Sequence, residues 1–272
     1  MKIVFWSPVH GQAKQSSNML AVSLILALQK KKRVLMTQTQ FCMNDLEDAI
    51  VGRTGTKELR ERFYQDMGID ALNRCIKRKH LERDDLINCC IQILEDSELM
   101  LLPGGQAGSY EIHYMSLCET IGYLLKEAEK YFDYVMVDAN PGKERISSIL
   151  LEEADAVVVN LSQNLGLLDS FFKEYPQSLM QKKVFYLFGA YLSDSCYNLH
   201  NLRWRYGRVK RTNSGVIPMN VRFMDAVSGG SVLNFFESNI ECEAGDSNYR
   251  FMQEAKNVSE RMLRLWCGGD EV

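Results

Sequence analysis

The feature that most constrains this chain is an alternation. Short apolar runs, "KIVFW", "RVLMTQ", "ELMLLPGG", "YVMVDANPG", "DAVVVNLSQN", "KKVFYLFGAYL" and "SGVIP", are separated by stretches of helical periodicity. Strands that are apolar at successive positions are buried on both faces, and helical crossovers between them build a parallel sheet. The pattern predicts an α/β fold, a single doubly wound, mostly parallel sheet of about seven or eight strands with helices on both faces. Helices are expected over 17–29, 112–131, 223–236 and 248–266, with several more between 46 and 96, and Cys89-Cys90 falls inside a helical pattern. No repeat, low-complexity segment or Pro/Gly/Ser linker divides the chain, so one domain is expected over 1–272.

Composition narrows the function. A chain of 272 residues that is 46% hydrophobic can bury a sizeable core. Its formal charge of -3 gives no global attraction for nucleic acid, so any polyanion contact must be local. Met1 leads straight into a strand without the regions of a secretory signal, and the apolar runs break well before the roughly 18 residues a membrane span needs. A cytoplasmic location is expected. The eight cysteines then read as reduced, and none has the Cys or His spacing of a zinc or iron-sulfur site.

One segment points to chemistry. In "MKIVFWSPVHGQAKQSSNML" an apolar strand breaks at Ser7-Pro8, turns through Gly11 and enters a helix at Ser16-Ser17-Asn18. That is the layout of a phosphate-binding loop, in which backbone N–H groups at a helix amino end meet an anion. The residues Gly11, Gln12, Ala13, Lys14, Gln15, Ser16 and Ser17 are the candidate nucleotide-binding set. The pattern GxxxxGK[ST] is incomplete, because Ala13 replaces the second glycine and Gln15 the hydroxyl. The alternative is a plain strand-to-helix turn in which Ser16 or Ser17 caps the helix. Later, "FDYVMVDANPG" places Asp138 at the end of a buried strand, where it could meet a magnesium ion or its water, or cap a turn.

In that order, "SPVHGQAKQSS", "FDYVMVDANPG", "ADAVVVN" and "GVIPMN" resemble the motifs of the MinD/ParA class of deviant Walker A ATPases, which includes CpaE/TadZ-like localisation proteins. The likeness spans nearly the whole chain. It implies ATP or ADP as ligand, magnesium held through Asp138 and Ser16, Pro218 beside the nucleotide, and Lys14 reaching the β- and γ-phosphates. It also implies a homodimer and a protein partner in a localised machine such as a pilus or secretion system. The departures are concentrated where the chemistry lies. Val9 stands in place of the class's signature lysine, His10 in place of a glycine, Gln15 in place of the magnesium-binding hydroxyl, and Thr37 to Gln40 in place of an aspartate-containing segment. Phosphoryl transfer depends on positioning and charge stabilisation, so such losses each remove factors of roughly 10² to 10³. The expectation is a degenerate nucleotide-binding localisation or assembly factor with slow hydrolysis. The alternatives are an active ATP-dependent switch and a DNA-partitioning ATPase.

Two further stretches bear on partners. "NLRWRYGRVKR" sets Arg203, Arg205, Arg208, Lys210 and Arg211 among Trp204 and Tyr206, a mixture that suits nucleic acid, an acidic partner or solvent. "NVSERMLRLWCGGDEV" has the apolar and basic faces of a peripheral membrane helix, yet ends in Asp270-Glu271, which repels anionic lipid. A last helix packed on the sheet is the expected reading.

Overall fold

The computed structural model describes residues 1–41, 45–52, 67–77, 81–94, 99–105 and 109–268. Among the described residues eight strands form one sheet: β1 (Lys2–Trp6), β2 (Val34–Gln38), β3 (Ile91–Gln92), β4 (Leu99–Leu102), β5 (Tyr134–Asp138), β6 (Ala156–Leu161), β7 (Lys183–Tyr191) and β8 (Ser214–Pro218). Their order is β3-β4-β2-β5-β1-β6-β7-β8, parallel throughout except that β3 runs antiparallel to β4. This is the expected fold class. The two-residue edge strand β3 was not foreseen. It follows Cys89-Cys90, which lie just past a short helix rather than within one.

Alternation along each strand divides the core between two faces. Ile3 and Phe5 pack with helix α1 (Gln15–Leu28) on one face, together with α2 (Asp45–Val51), α9 (Val221–Gly229), α10 (Val232–Asn239) and α11 (Tyr249–Cys267). Val4 and Trp6 face the other layer, built from α3 (Gly68–Lys77), α4 (Arg83–Asn88), α5 (Tyr110–Ala128), α6 (Arg145–Glu153), α7 (Leu165–Lys173) and α8 (Leu199–Arg205). Helix α1 is buried from Asn18 to Ala27, which is why it is apolar all round rather than striped. The helix expected over 223–236 is two, because Gly230 ends α9 in the left-handed conformation at φ 70. Met262, Leu263 and Trp266 of α11 are buried against the sheet, so their apolar face is already covered. Asp270-Glu271 and Cys42 lie outside the described residues. No described helix is long and apolar enough to cross a membrane.

The topology positions the site. β5 returns to lie between β1 and β2, so Phe5 pairs in register with Asp138 across 133 residues of sequence. The loop after β1 and the carboxyl end of β5 therefore stand side by side, where ligands bind in open α/β sheets.

Candidate phosphate-binding site

The loop after β1 is held from several sides. Trp6 Nε1 donates to Gly142 O at 2.9 Å and Gly142 N–H donates to Ser7 O at 2.9 Å, which ties this loop to the turn after β5. Asn18, in the first turns of α1, donates through Nδ2 to Ala13 O and to Asn160 Oδ1, both at 2.9 Å. Gly189 of β7 allows the loop to come this close, since a Cβ there would lie 2.3 Å from Ala13 O. Gly11 turns the chain at φ 75, a backbone conformation open to glycine.

Lys14 then takes the left-handed conformation at φ 54, ψ 41 and immediately precedes α1. No side chain caps the helix, and its first ladder bond runs from Asn18 N–H to Lys14 O. Neither Ser16 nor Ser17 is the cap that a plain turn would have supplied. The N–H groups of Gln15, Ser16 and Ser17 precede that first bond, and a helix amino end left this way attracts an anion. The exposed Lys14 side chain stands at the same place.

These groups face a cavity of about 550 Å³, lined by Gly11, Ala13, Lys14, Gln15, Ser16 and Ser17 of the loop and, on its other side, by Gln40, Asp45 and Asp48. The two aspartates were missed by the sequence reading, which found no carboxylate between Thr37 and Gln40. They enter from α2, after the strand. Gln12 instead lines a neighbouring apolar cavity of about 590 Å³ with Trp6, Val9, Leu167 and Phe171. Pro218 ends the edge strand β8 and lines neither cavity.

Asp138 is brought to the loop but does not open into the cavity. It is fully buried, with Gln15 Nε2 donating to its Oδ1 and Ser16 Oγ to its Oδ2, each at 2.5 Å. Gln15 Nε2 also donates to Ala139 O at 2.7 Å. Burial pushes the Asp138 carboxyl up to about 6, while the Ser16 and Gln15 hydrogen bonds pull it back. A second buried acid, Glu47 of α2, accepts from Gly104 N–H at 2.7 Å and from Gln38 Nε2 at 2.6 Å. Burial pushes its carboxyl up to about 7, against the pull of the Gly104 N–H bond. Glu47 anchors α2, and with it the wall that presents Asp45 and Asp48. A carboxylate between two aspartates in an otherwise apolar helix was the sequence signal for it.

The basic stretch is arranged differently. Arg203 Nε and Nη2 donate to Ser214 Oγ, Arg205 pairs with Asp169 at 2.9 Å, and the Arg208 guanidinium lies 4.2 Å from the centroid of the Tyr175 ring. Tyr206 is buried, stacks on Phe172 and donates to Asp169 Oδ1 at 2.6 Å. Trp204 alone of the aromatic pair faces outward, 83% exposed.

No family model matches the sequence, and no curated protein matches it. Solved structures do. A ParA family ATPase from Chlorobium tepidum TLS superposes with a TM-score of 0.68 at 16% identity, covering 95% of this chain and 98% of its own. The septum site-determining protein MinD from Pyrococcus horikoshii OT3, in complex with Mg-ADP, gives 0.66 at 15% identity over 100% of both chains. MinD in the MinC:MinD cell division protein complex of Aquifex aeolicus gives 0.59 at 14% identity, covering 100% of this chain and 97% of that one. At these identities the likeness is one of architecture: the chain has the fold of the MinD and ParA ATPases.

Proposed function

We propose that this protein is a nucleotide-phosphate-binding assembly or localisation factor with little hydrolytic turnover. One observation supports it above the others. Lys14 and the uncapped amino end of α1 face the cavity, whereas Asp138, which would organise the cation for catalysis, is closed off behind Gln15 and Ser16. Binding needs only the donors; hydrolysis also needs a positioned metal and water.

The Pyrococcus MinD structure holds magnesium with ADP. The residues at this loop do not fit that ion. Magnesium demands near-octahedral oxygen ligands. Here the position of the ligating hydroxyl is an amide, both Asp138 oxygens already accept hydrogen bonds, and Asp138 does not line the cavity. No catalytic step is therefore assigned to a metal. In the ligand-bound state the N–H groups of Gln15 to Ser17 orient the phosphate and Lys14 offsets its charge.

In this reading two copies meet over the loop face, as the MinD/ParA resemblance implies, and the pair engages a protein partner such as a component of a pilus or secretion system. Val9 cannot make a charged contact across such an interface, so a nucleotide-bound dimer is loose. The second reading, an active ATP-driven switch, is favoured by Asp45 and Asp48, which return carboxylates to the cavity wall. Steady-state ATPase measurement separates the two. Turnover well below about 1 per second is expected; competent turnover at that rate or faster, abolished by Lys14→Ala, would establish the switch instead.

A further inference from the structure

A buried carboxylate needs donors or a cation around it, and Asp138 receives its donors from within the chain. Consecutive residues in the first turn of α1 reach it: Gln15 Nε2 bridges Asp138 Oδ1 and Ala139 O, and Ser16 Oγ bonds Oδ2. A cation inserted here would have to expel the Gln15 amide, leaving its N–H groups without Asp138 and Ala139, and rotate Ser16. We propose that Gln15 takes the place of a divalent cation beside Asp138, so that the loop binds a nucleoside di- or triphosphate free of magnesium. The inference rests on the reading that the loop binds nucleotide phosphate, and it makes Gln15 the residue that sets the cation requirement.

Among the described residues, Lys14 and the α1 amino end then meet the phosphate charge. Asp45 and Asp48 on the opposite wall limit the affinity, because they repel an uncompensated polyphosphate. Replacing Gln15 with a hydroxyl-bearing residue removes the amide and leaves Asp138 Oδ1 without its partner, which is the arrangement a divalent cation would satisfy.

The test is calorimetric titration of ATP and ADP into wild type and Gln15→Thr, each in EDTA and in magnesium. Gln15→Ser replaces the threonine variant if that one does not fold. A wild type that binds no tighter in magnesium than in EDTA, and weaker for ATP because magnesium withdraws the free nucleotide, and a variant at least about tenfold tighter with magnesium, are expected. A wild type at least about tenfold tighter with magnesium overturns the inference while leaving the nucleotide reading intact. A second arm omits nucleotide and follows Tm in millimolar manganese. There the wild type is unmoved and the variant is raised, as ligand linkage requires. A rise in the wild type that Asp138→Asn removes, or a variant indifferent to metal in both arms, also overturns it. If neither protein binds nucleotide, the functional reading falls and the manganese arm decides the role of Gln15 by itself.

Discussion

Two regions of this molecule have the donors an anion would need, and they use them in opposite ways. The loop after β1 has a single lysine, but that side chain is exposed at the cavity wall and the helix behind it is uncapped. The stretch from Arg203 to Arg211 is far richer in cations, yet Arg203, Arg205 and Arg208 are engaged with Ser214, Asp169 and Tyr175. Their guanidinium groups fasten α8 and the turn after it to α7 and β8. Density of positive charge in the sequence is therefore a poor guide to anion binding. What counts is whether the donors retain a direction toward solvent after folding.

Substitutions test this contrast. The largest effect is expected where the loop is most tightly enclosed. Gly189→Ala places a Cβ against the Ala13 carbonyl, and overpacking of this kind costs about 1–3 kcal/mol. Thermal unfolding should register that loss, and phosphate affinity should fall with it because the loop must shift.

Next comes the pH dependence from the buried acid behind α2. The folded-state Glu47 carboxyl lies at about 7, above its ordinary value of 4.5, so the folded chain binds a proton that the unfolded chain releases. That contribution is fully present below pH 4.5 and is lost as pH rises through about 7. Glu47→Gln should flatten the slope without abolishing it, since Asp138 is raised in the same direction, and should gain on wild type between pH 5 and pH 8 by on the order of 2–3 kcal/mol. Denaturant unfolding at the two pH values measures it. A wild type equally stable at both would contradict the buried charge.

Smaller changes belong to the basic stretch. Arg205→Ala should lower the unfolding temperature only slightly, since the Asp169 pair is half exposed and surface ion pairs contribute little. Trp204→Ala should alter stability by less than about 0.5 kcal/mol, because an outward-facing ring has little packing to lose. Any larger loss for Trp204 would mean that it is covered in solution.

Much of the architecture was legible because apolar runs and crossover helices leave few topologies. The sequence placed Asp138 at the end of "YVMVD" and Lys14 beyond "KIVFW", both at carboxyl ends of strands, and the pairing of β1 with β5 makes them neighbours. The closure of the site was not legible. The Gln15 to Asp138 bond spans 123 residues, and nothing local says which way an amide turns. Asp45 and Asp48 reach the cavity because α2 docks through Leu46, Ala49 and the Glu47 bond to Gly104, a tertiary arrangement without a sequence period. Asn18 and Asn160 were visible as polar residues inside apolar runs, and Gly189 as a glycine inside a strand. Each marks a close backbone approach, and each could have been read as a support of the loop.

In the proposed function Lys14 and the α1 amino end receive a phosphate while the richer basic stretch does not. Calorimetric titration of ATP into wild type, Lys14→Ala and the double variant Lys210→Ala, Arg211→Ala tests it most directly. Wild-type binding tighter than about millimolar is expected, with a loss of about tenfold or more in Lys14→Ala and less than about twofold change in the double variant. Binding weaker than about millimolar, or an affinity that follows Lys210 and Arg211 rather than Lys14, would contradict it.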